Sequence, residues 1–501
     1  MSSSYQIKIG AIMAYVSIGI NIVSGLLYTP WMIGTIGREN FGLYTLAMSV
    51  ISLFVFDFGL SASVTRFIAK YLAEGRQDKA NDCLGVVYRL YVFLDVVLLL
   101  ILTGLYFFIP QLYRELTPDE IEKFKVVYVM ASLYSVFSLP FIPVQGILRA
   151  HEKFIQISIC DILHKLLIVI PMTCCLLLGY GLYALVMINI FSGVVTIFAK
   201  TWVIIHYTQQ RIHFNYHNTS ALLSIVGFSG WVTVIAVAQR FVLTLAPSIL
   251  GVFSGTVSIA ILGIAMTIEG YTFTFANALN GMFLPKVSRI VANNQKDINP
   301  LMVRIGRIQI LIVGLVVVGF ISLGKDFIQL WVGEDFSECY VCALLIVIPS
   351  LFSTPQEVAN SVVFAMNKVK IQAIVYIFTS IFNIICILVF VKHYAALAVC
   401  ISVCITFFLR TGIMDYVYWR KMKLNVPVFF RDTFGRMLLP LVLTILAGIC
   451  LNYFLSSDTT WFLFLIKGIV FVCVYIAIMW TIGMNREEKD LVIYPLKMVF
   501  S

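Results

Sequence analysis

The sequence predicts an all-α membrane protein of about fourteen transmembrane helices, and three observations carry the prediction. Of the 501 residues, 60% are hydrophobic and 12% charged, about half the charged share of a soluble domain. The apolar residues run continuously, as in Val96–Ile109, Ile308–Leu323 and Phe462–Met479, whereas the strands of a membrane barrel alternate apolar and polar positions. The runs also recur at the roughly 20 residues a helix needs to cross the hydrocarbon. In lipid every backbone N–H and C=O needs an internal partner, so runs of this kind are helices. A soluble enzyme is excluded on the same grounds.

In chain order, the first span lies near 9–30 and places Ser17, Asn21, Ser24 and Tyr28 on one side. It is long, polar in places and lacks a small-x-small site before Arg38, so it reads as a span and not as a cleavable leader. The second, 40–64, runs on toward Arg66. The third, 83–109, carries Arg89 and Asp95, and the fourth is 123–148. The fifth, 154–178, holds Asp161 and Lys165, four residues apart and so able to pair along one helix face. The sixth is 182–205. The seventh, 220–247, carries Arg240, and the eighth, 257–283, sets Glu269, Ala276 and Asn280 on one side. After the ninth, 300–323, the tenth, 341–366, lines up Ser350, Ser353, Glu357 and Asn360. The last four are 371–391, 395–418, 434–455 and 461–483. Lys200 and Lys467 lie near helix ends and are expected to snorkel.

Basic residues set the expected orientation. With the N-terminus inside, 24 Lys and Arg fall on the cytoplasmic side and six outside: Arg38, Arg114, Lys123, Lys125, Lys325 and Lys392. That bias places both termini in the cytoplasm. The net charge of +10 then reflects topology and calls for no nucleic-acid partner. The eleven cysteines are scattered, mostly within spans, and read as small buried residues; Cys339 and Cys342 form the one Cys-x-x-Cys pair. His206, His213 and His217 share a loop without the Cys or carboxylate partners of a zinc site. Gly319-Phe-Ile-Ser-Leu-Gly324-Lys325 matches most of a phosphate-binding loop, but no strand precedes it and Asp326 replaces the Ser or Thr. With neither a nucleotide site nor a metal or nucleophile cluster, the expectation is a secondary transporter without cofactor.

An internal repeat organises the chain. Pro140, Ala150 and Lys153 recur as Pro355, Ala365 and Lys368 at a constant offset of 215, and Pro30 maps near Pro247. Six spans fill each repeat, so the halves enter the membrane in the same direction and the substrate is expected between them. The expected divisions are an N-terminal six-helix lobe at 1–217, a second at 218–424, and an accessory helix pair with a tail at 425–501.

Intramembrane charges mark function, because a charge at the bilayer centre costs at least roughly 2.5–3.5 kcal/mol. Arg89, Lys165 and Arg240 read as a ladder of cavity cations, suited to an anionic headgroup such as a pyrophosphate that Arg can hold through two bonds. Asp161, Glu269 and Glu357, with Asn21 and Asn280, are candidates for cavity polar groups or for binding a coupling ion.

The sequence resembles the bacterial polysaccharide flippases of the multidrug/oligosaccharidyl-lipid/polysaccharide exporter superfamily. The resemblance is carried by Leu27-Tyr-Thr-Pro30, Ile36-Gly37-Arg-Glu39-Asn-Phe41-Gly42-Leu43, Asp57-Phe-Gly-Leu60 with Arg66, Gln145-Gly146, Gly179-Tyr-Gly-Leu182 and Leu330-Trp331-Val-Gly333. It implies two six-helix lobes in a V, alternating access and ion coupling, by Na+ or H+, in the bacterial inner membrane. The implied substrate is an undecaprenyl-pyrophosphate-linked oligosaccharide, and polysaccharide polymerase or assembly proteins are the implied partners. Lys165 and Arg240 fall where relatives carry basic cavity residues. The competing readings are a drug or metabolite antiporter, which would favour acidic cavity residues, and a peptidoglycan-precursor lipid flippase.

Overall fold

The computed structural model describes residues 3–54, 60–208, 210–213, 219–277, 298–366, 368–455 and 460–490. Asn280, His217 and the Asp57–Gly59 part of the Asp57-Phe-Gly-Leu60 pattern lie outside them. Among the described residues the regular structure is entirely helical, and twelve stretches are long and apolar enough to cross a membrane.

The chain divides into two compact units. The first comprises Met1–Gly263 and Tyr376–Val399. It holds α1 (Ser3–Phe54), α2 (Leu60–Ala73), α3 (Gln77–Leu112), α4 (Pro118–Ser138), α5 (Pro143–Ala150), α6 (Phe154–Leu177), α7 (Leu182–Tyr207), α8 (Thr219–Val242) and α9 (Ala246–Phe253). Helix α10 (Thr256–Asn277) crosses the boundary of the two units. The second unit, Ile264–Val375 and Cys400–Ser501, holds α11 (Asn299–Val332), α12 (Glu338–Val347), α13 (Ser350–Ser353), α14 (Glu357–Ala365) and most of the second half of α15 (Val369–Met422). It also holds α16 (Val426–Phe430), α17 (Arg436–Phe454) and α18 (Trp461–Ile478).

Two of the twelve stretches each carry one residue with non-helical backbone: Gly37 in α1 (φ 81°, ψ 164°) and Ala395 in α15 (φ 45°, ψ −121°). Each of these stretches therefore breaks into two helices, which brings the twelve stretches to fourteen spans; residues 55–59 of the expected second span and 278–283 of the expected eighth lie outside the described residues. Only glycine reaches the conformation of Gly37 without a steric penalty, which explains a glycine between two charged residues, Arg38 and Glu39, and the end of the first apolar run.

Helix limits follow from local chemistry. Thr117 and Glu120 form a reciprocal capping box, with Glu120 Oε2 accepting from the Thr117 N–H at 2.8 Å, and Pro118 starts α4. Gly179 (φ 78°) and Gly333 (φ 98°) follow the ends of α6 and α11. Pro140 and Pro355 each sit inside a short 3₁₀ turn, Leu139–Phe141 and Thr354–Gln356, where the missing N–H breaks the long helix of the fourth and the tenth span. The Gly319–Lys325 string lies inside the continuous helix α11 and makes no phosphate-binding loop.

Candidate functional site

In the first unit the candidate residues are carried on α1, α3, α6 and α8. Asn21 is exposed on α1. Arg89 is partly buried on α3 and donates from Nε to the Gly85 carbonyl at 3.4 Å. Arg240, three residues from the C-terminal end of α8 counting itself, donates from Nη1 to the Ser52 carbonyl on α1.

Asp161 and Lys165, four residues apart on α6, do not pair with each other. Asp161 Oδ1 accepts from Lys200 Nζ at 2.8 Å, and the same ammonium donates to Gln145 Oε1 at 3.0 Å. The Asp161–Lys165 bond that their spacing allows is absent, because a lysine on the neighbouring helix α7, held in place by Gln145, satisfies the carboxylate instead. The expectation that Lys200 snorkels is overturned with it. Lys165 is partly buried and makes no hydrogen bond or ion pair with any described residue. At 1.5 Å per residue it lies about 17 Å along the axis of α6 from Phe154, near the middle of a 24-residue helix.

The Asp161–Lys200 pair edges a cavity of about 280 Å³, lined also by Tyr134, Gln145, His164 and Thr196. His164 Nδ1 bonds Thr196 Oγ1 at 3.0 Å and the Ser192 carbonyl at 3.3 Å, so the ring is held by α7. A depth signal in the sequence could have found the pair: Asp161 is seven residues from the start of α6 and Lys200 seven from the end of α7, and those two ends face one side of the membrane.

The second unit carries a separate polar set. Glu357 opens α14, and Asn360 Nδ2 donates to both of its carboxylate oxygens at 3.4 Å. Asn360 Oδ1 in turn accepts from Gln372 Nε2 at 2.8 Å. Glu269 on α10 lies in the field of the Arg410 guanidinium. Gln372 and Arg410 escaped the sequence reading, because a single polar residue in an apolar run has no periodic signal. An apolar groove of about 250 Å³ runs along α10, α11 and α18, with Ile268, Phe320, Phe327, Phe464 and Phe471 in its walls and Thr272 as its polar lining residue.

Lys467 also departs from expectation. It does not snorkel: it is 2% exposed and donates to Asp326 Oδ2 at 2.8 Å and Asn452 Oδ1 at 2.6 Å. Among the described residues no group of three His, Cys, Asp or Glu is arranged to hold a metal. His213 instead pairs with Asp82 at 2.8 Å and His206 bonds the Trp202 carbonyl at 3.1 Å. Cys339 and Cys342 are both buried.

A family model described as "Polysaccharide biosynthesis protein" matches residues 8–291. No curated protein matches the chain significantly. Among solved structures, the lipid II flippase MurJ in an inward closed conformation is similar with a TM-score of 0.70 at 13% identity, covering 94% of this chain and 97% of that one. An inward-facing multidrug resistance MATE family transporter of the MOP superfamily is similar with a TM-score of 0.64 at 14% identity, over 86% and 99%. A MOP superfamily transporter from Pyrococcus furiosus gives 0.53 at 16% identity, over 84% and 96%. At these identities the likeness is one of fold.

Proposed function

Because the chain belongs to the polysaccharide biosynthesis protein family and has the fold of the MurJ and MATE transporters, we propose that it is a flippase for an undecaprenyl-pyrophosphate-linked oligosaccharide. On this reading it works by alternating access, driven by an ion gradient, in the bacterial inner membrane with both termini in the cytoplasm. The lobes are 1–217 and 218–424, with 425–501 accessory; the 3₁₀ turns at Pro140 and Pro355, 215 residues apart, support that repeat.

The observation that carries the reading is Lys165. A lysine held at mid-helix without an ion-pair partner among the described residues is costly in a membrane, and a mobile anionic ligand offsets that cost. Arg89, whose described bond goes to a carbonyl, and Arg240 extend the same positive character along the path of a pyrophosphate. Asp161, Glu269, Glu357, Asn21 and Asn280 remain candidates for coupling ions or for the sugar. The apolar groove beside α11 has the chemistry that an isoprenoid chain requires.

The test is Lys165→Met. Since Asp161 is already neutralised by Lys200, removing Lys165 strands no counter-charge. The variant is expected to insert at wild-type level with export reduced at least tenfold, and Lys165→Arg to recover part of it. Wild-type export by Lys165→Met would remove the main support for an anionic headgroup. A peptidoglycan-precursor lipid carries the same pyrophosphate, so complementation of a strain lacking its precursor flippase discriminates the two. An organic-cation antiporter would respond to Lys165→Met with unchanged or improved drug resistance.

A further inference from the structure

Helix α11 is tied to the accessory pair α17 and α18, and to the segments that flank it, at two points. At one end Arg307, 3% exposed, is enclosed by acceptors: Nε and Nη2 grip Glu488 Oε1 and Oε2 at 2.5 and 3.0 Å. Nη2 also donates to the Gly483 carbonyl at 2.7 Å and Nη1 to the Asp432 carbonyl at 3.2 Å. Glu488 is itself fixed by a reciprocal cap, accepting from the Asn485 N–H and donating its own N–H to Asn485 Oδ1, each at 2.9 Å. At the other end Lys467 binds Asp326 and Asn452. Along α11 the two clamps are 19 residues apart, about 28 Å of helix, which matches the roughly 30 Å of hydrocarbon between two membrane faces.

Between the clamps the seam is closed by an apolar cluster of Ile310, Val318, Leu323, Leu441, Phe471 and Tyr475. The Tyr475 hydroxyl donates to the Leu311 carbonyl at 2.8 Å. Two glycines allow the close approach: a Cβ on Gly314 would lie 3.0 Å from Leu441 and from the Tyr475 hydroxyl, and one on Gly448 would lie 2.6 Å from the Ser322 Cβ. Separating these helices would leave a guanidinium, an ammonium and two carboxylates unpaired in a medium of low dielectric, which is the costly way to break a buried pair.

We propose that α11, α17 and α18 form a single permanent wall, in which the accessory pair is locked in register to the ninth span by a charged clamp at each membrane face and moves with it throughout the transport cycle. The four clamp charges belong to this wall and not to the transport path. Their pairing is complete without a ligand, in contrast to Lys165.

Two measurements test this, and the first needs no transport assay. In purified protein, Lys467→Met and Arg307→Glu are each expected to lower the folded, monodisperse fraction severalfold. The paired changes Lys467→Met with Asp326→Leu, and Arg307→Glu with Glu488→Arg, are expected to restore it. Pairs that fold no better than the single variants would overturn the clamp. The second joins Arg304→Cys on α11 to Glu487→Cys beyond α18, exposed side chains whose charged groups lie 3.9 Å apart, with a reductant-cleavable bifunctional thiol reagent in a background freed of other exposed cysteines. Export is expected to agree within twofold between cross-linked and reduced protein. A tenfold loss on cross-linking that a reductant reverses would show that the end of α18 moves against α11. If the chain exports some other substrate, the folding measurement still decides the clamp, and the Lys467→Met/Asp326→Leu pair in that substrate's assay must retain activity.

Discussion

At the scale of residues, the two lysines 35 positions apart, Lys165 and Lys200, have opposite environments, and their variants separate structure from function. Lys200→Met strands Asp161 in a partly dry cavity. Because the Asp161 side chain is 44% exposed, the penalty is discounted from that of a fully buried pair to about 1–2 kcal/mol. The double variant Asp161→Asn/Lys200→Met is expected to regain most of that loss in a thermal melt. A double variant as unstable as the single one would mean that Gln145 and the cavity, rather than charge pairing, govern the site. Outside the spans, His151 is half-buried against Gln210, 3.2 Å away, and burial, only partly offset by that bond, holds its imidazole below the ordinary histidine value. The folded chain therefore binds this proton less readily than the unfolded chain. The sign is that stability is present above the ordinary histidine range and falls as pH drops through it. His151→Gln is expected to flatten that acid limb of the melting profile.

At the scale of elements, the two breaks in α1 and α15 make opposite forecasts. Gly37→Ala forces a side chain into a conformation reserved for glycine, at a cost of order 1–3 kcal/mol, and the melting temperature is expected to fall. Ala395 (φ 45°) already bears such strain, so Ala395→Gly is expected to leave stability unchanged or raise it by about 1 kcal/mol. A fall in stability for both variants would mean that packing and not backbone strain sets these corners. The sequence marked the first corner by its glycine and its flanking charges. It marked the second only by Lys392-His393, which interrupts the apolar run, since nothing in Tyr394-Ala-Ala-Leu397 announces a left-handed residue.

At the scale of the whole molecule, the expected orientation rests on the 24-to-six distribution of basic residues. Single cysteines at Arg76 and Lys421 are expected to resist an impermeant thiol reagent added from outside, and single cysteines at Arg114 and Glu334 to react with it. The reverse pattern would invert the proposed topology. All four positions are described and lie at helix ends or in turns, so labelling there does not disturb a packed span.

The sequence by itself determined the class of molecule: helical, fourteen spans, apolar outside, with charges placed at membrane depth. It could do so because the bilayer imposes one length and one hydrogen-bonding solution on every crossing segment, and both are written in consecutive residues. The partner of each charge was decided only by the tertiary structure. Asp161 chose Lys200 over Lys165, Lys467 turned inward to Asp326 instead of outward to the interface, and Arg307, counted in the sequence as one more cytoplasmic cation, closed on Glu488 181 residues away. A charge in low dielectric takes the geometry that satisfies most of its donors or acceptors. Which helix supplies that geometry depends on how helices distant in sequence pack, and no local spacing records it.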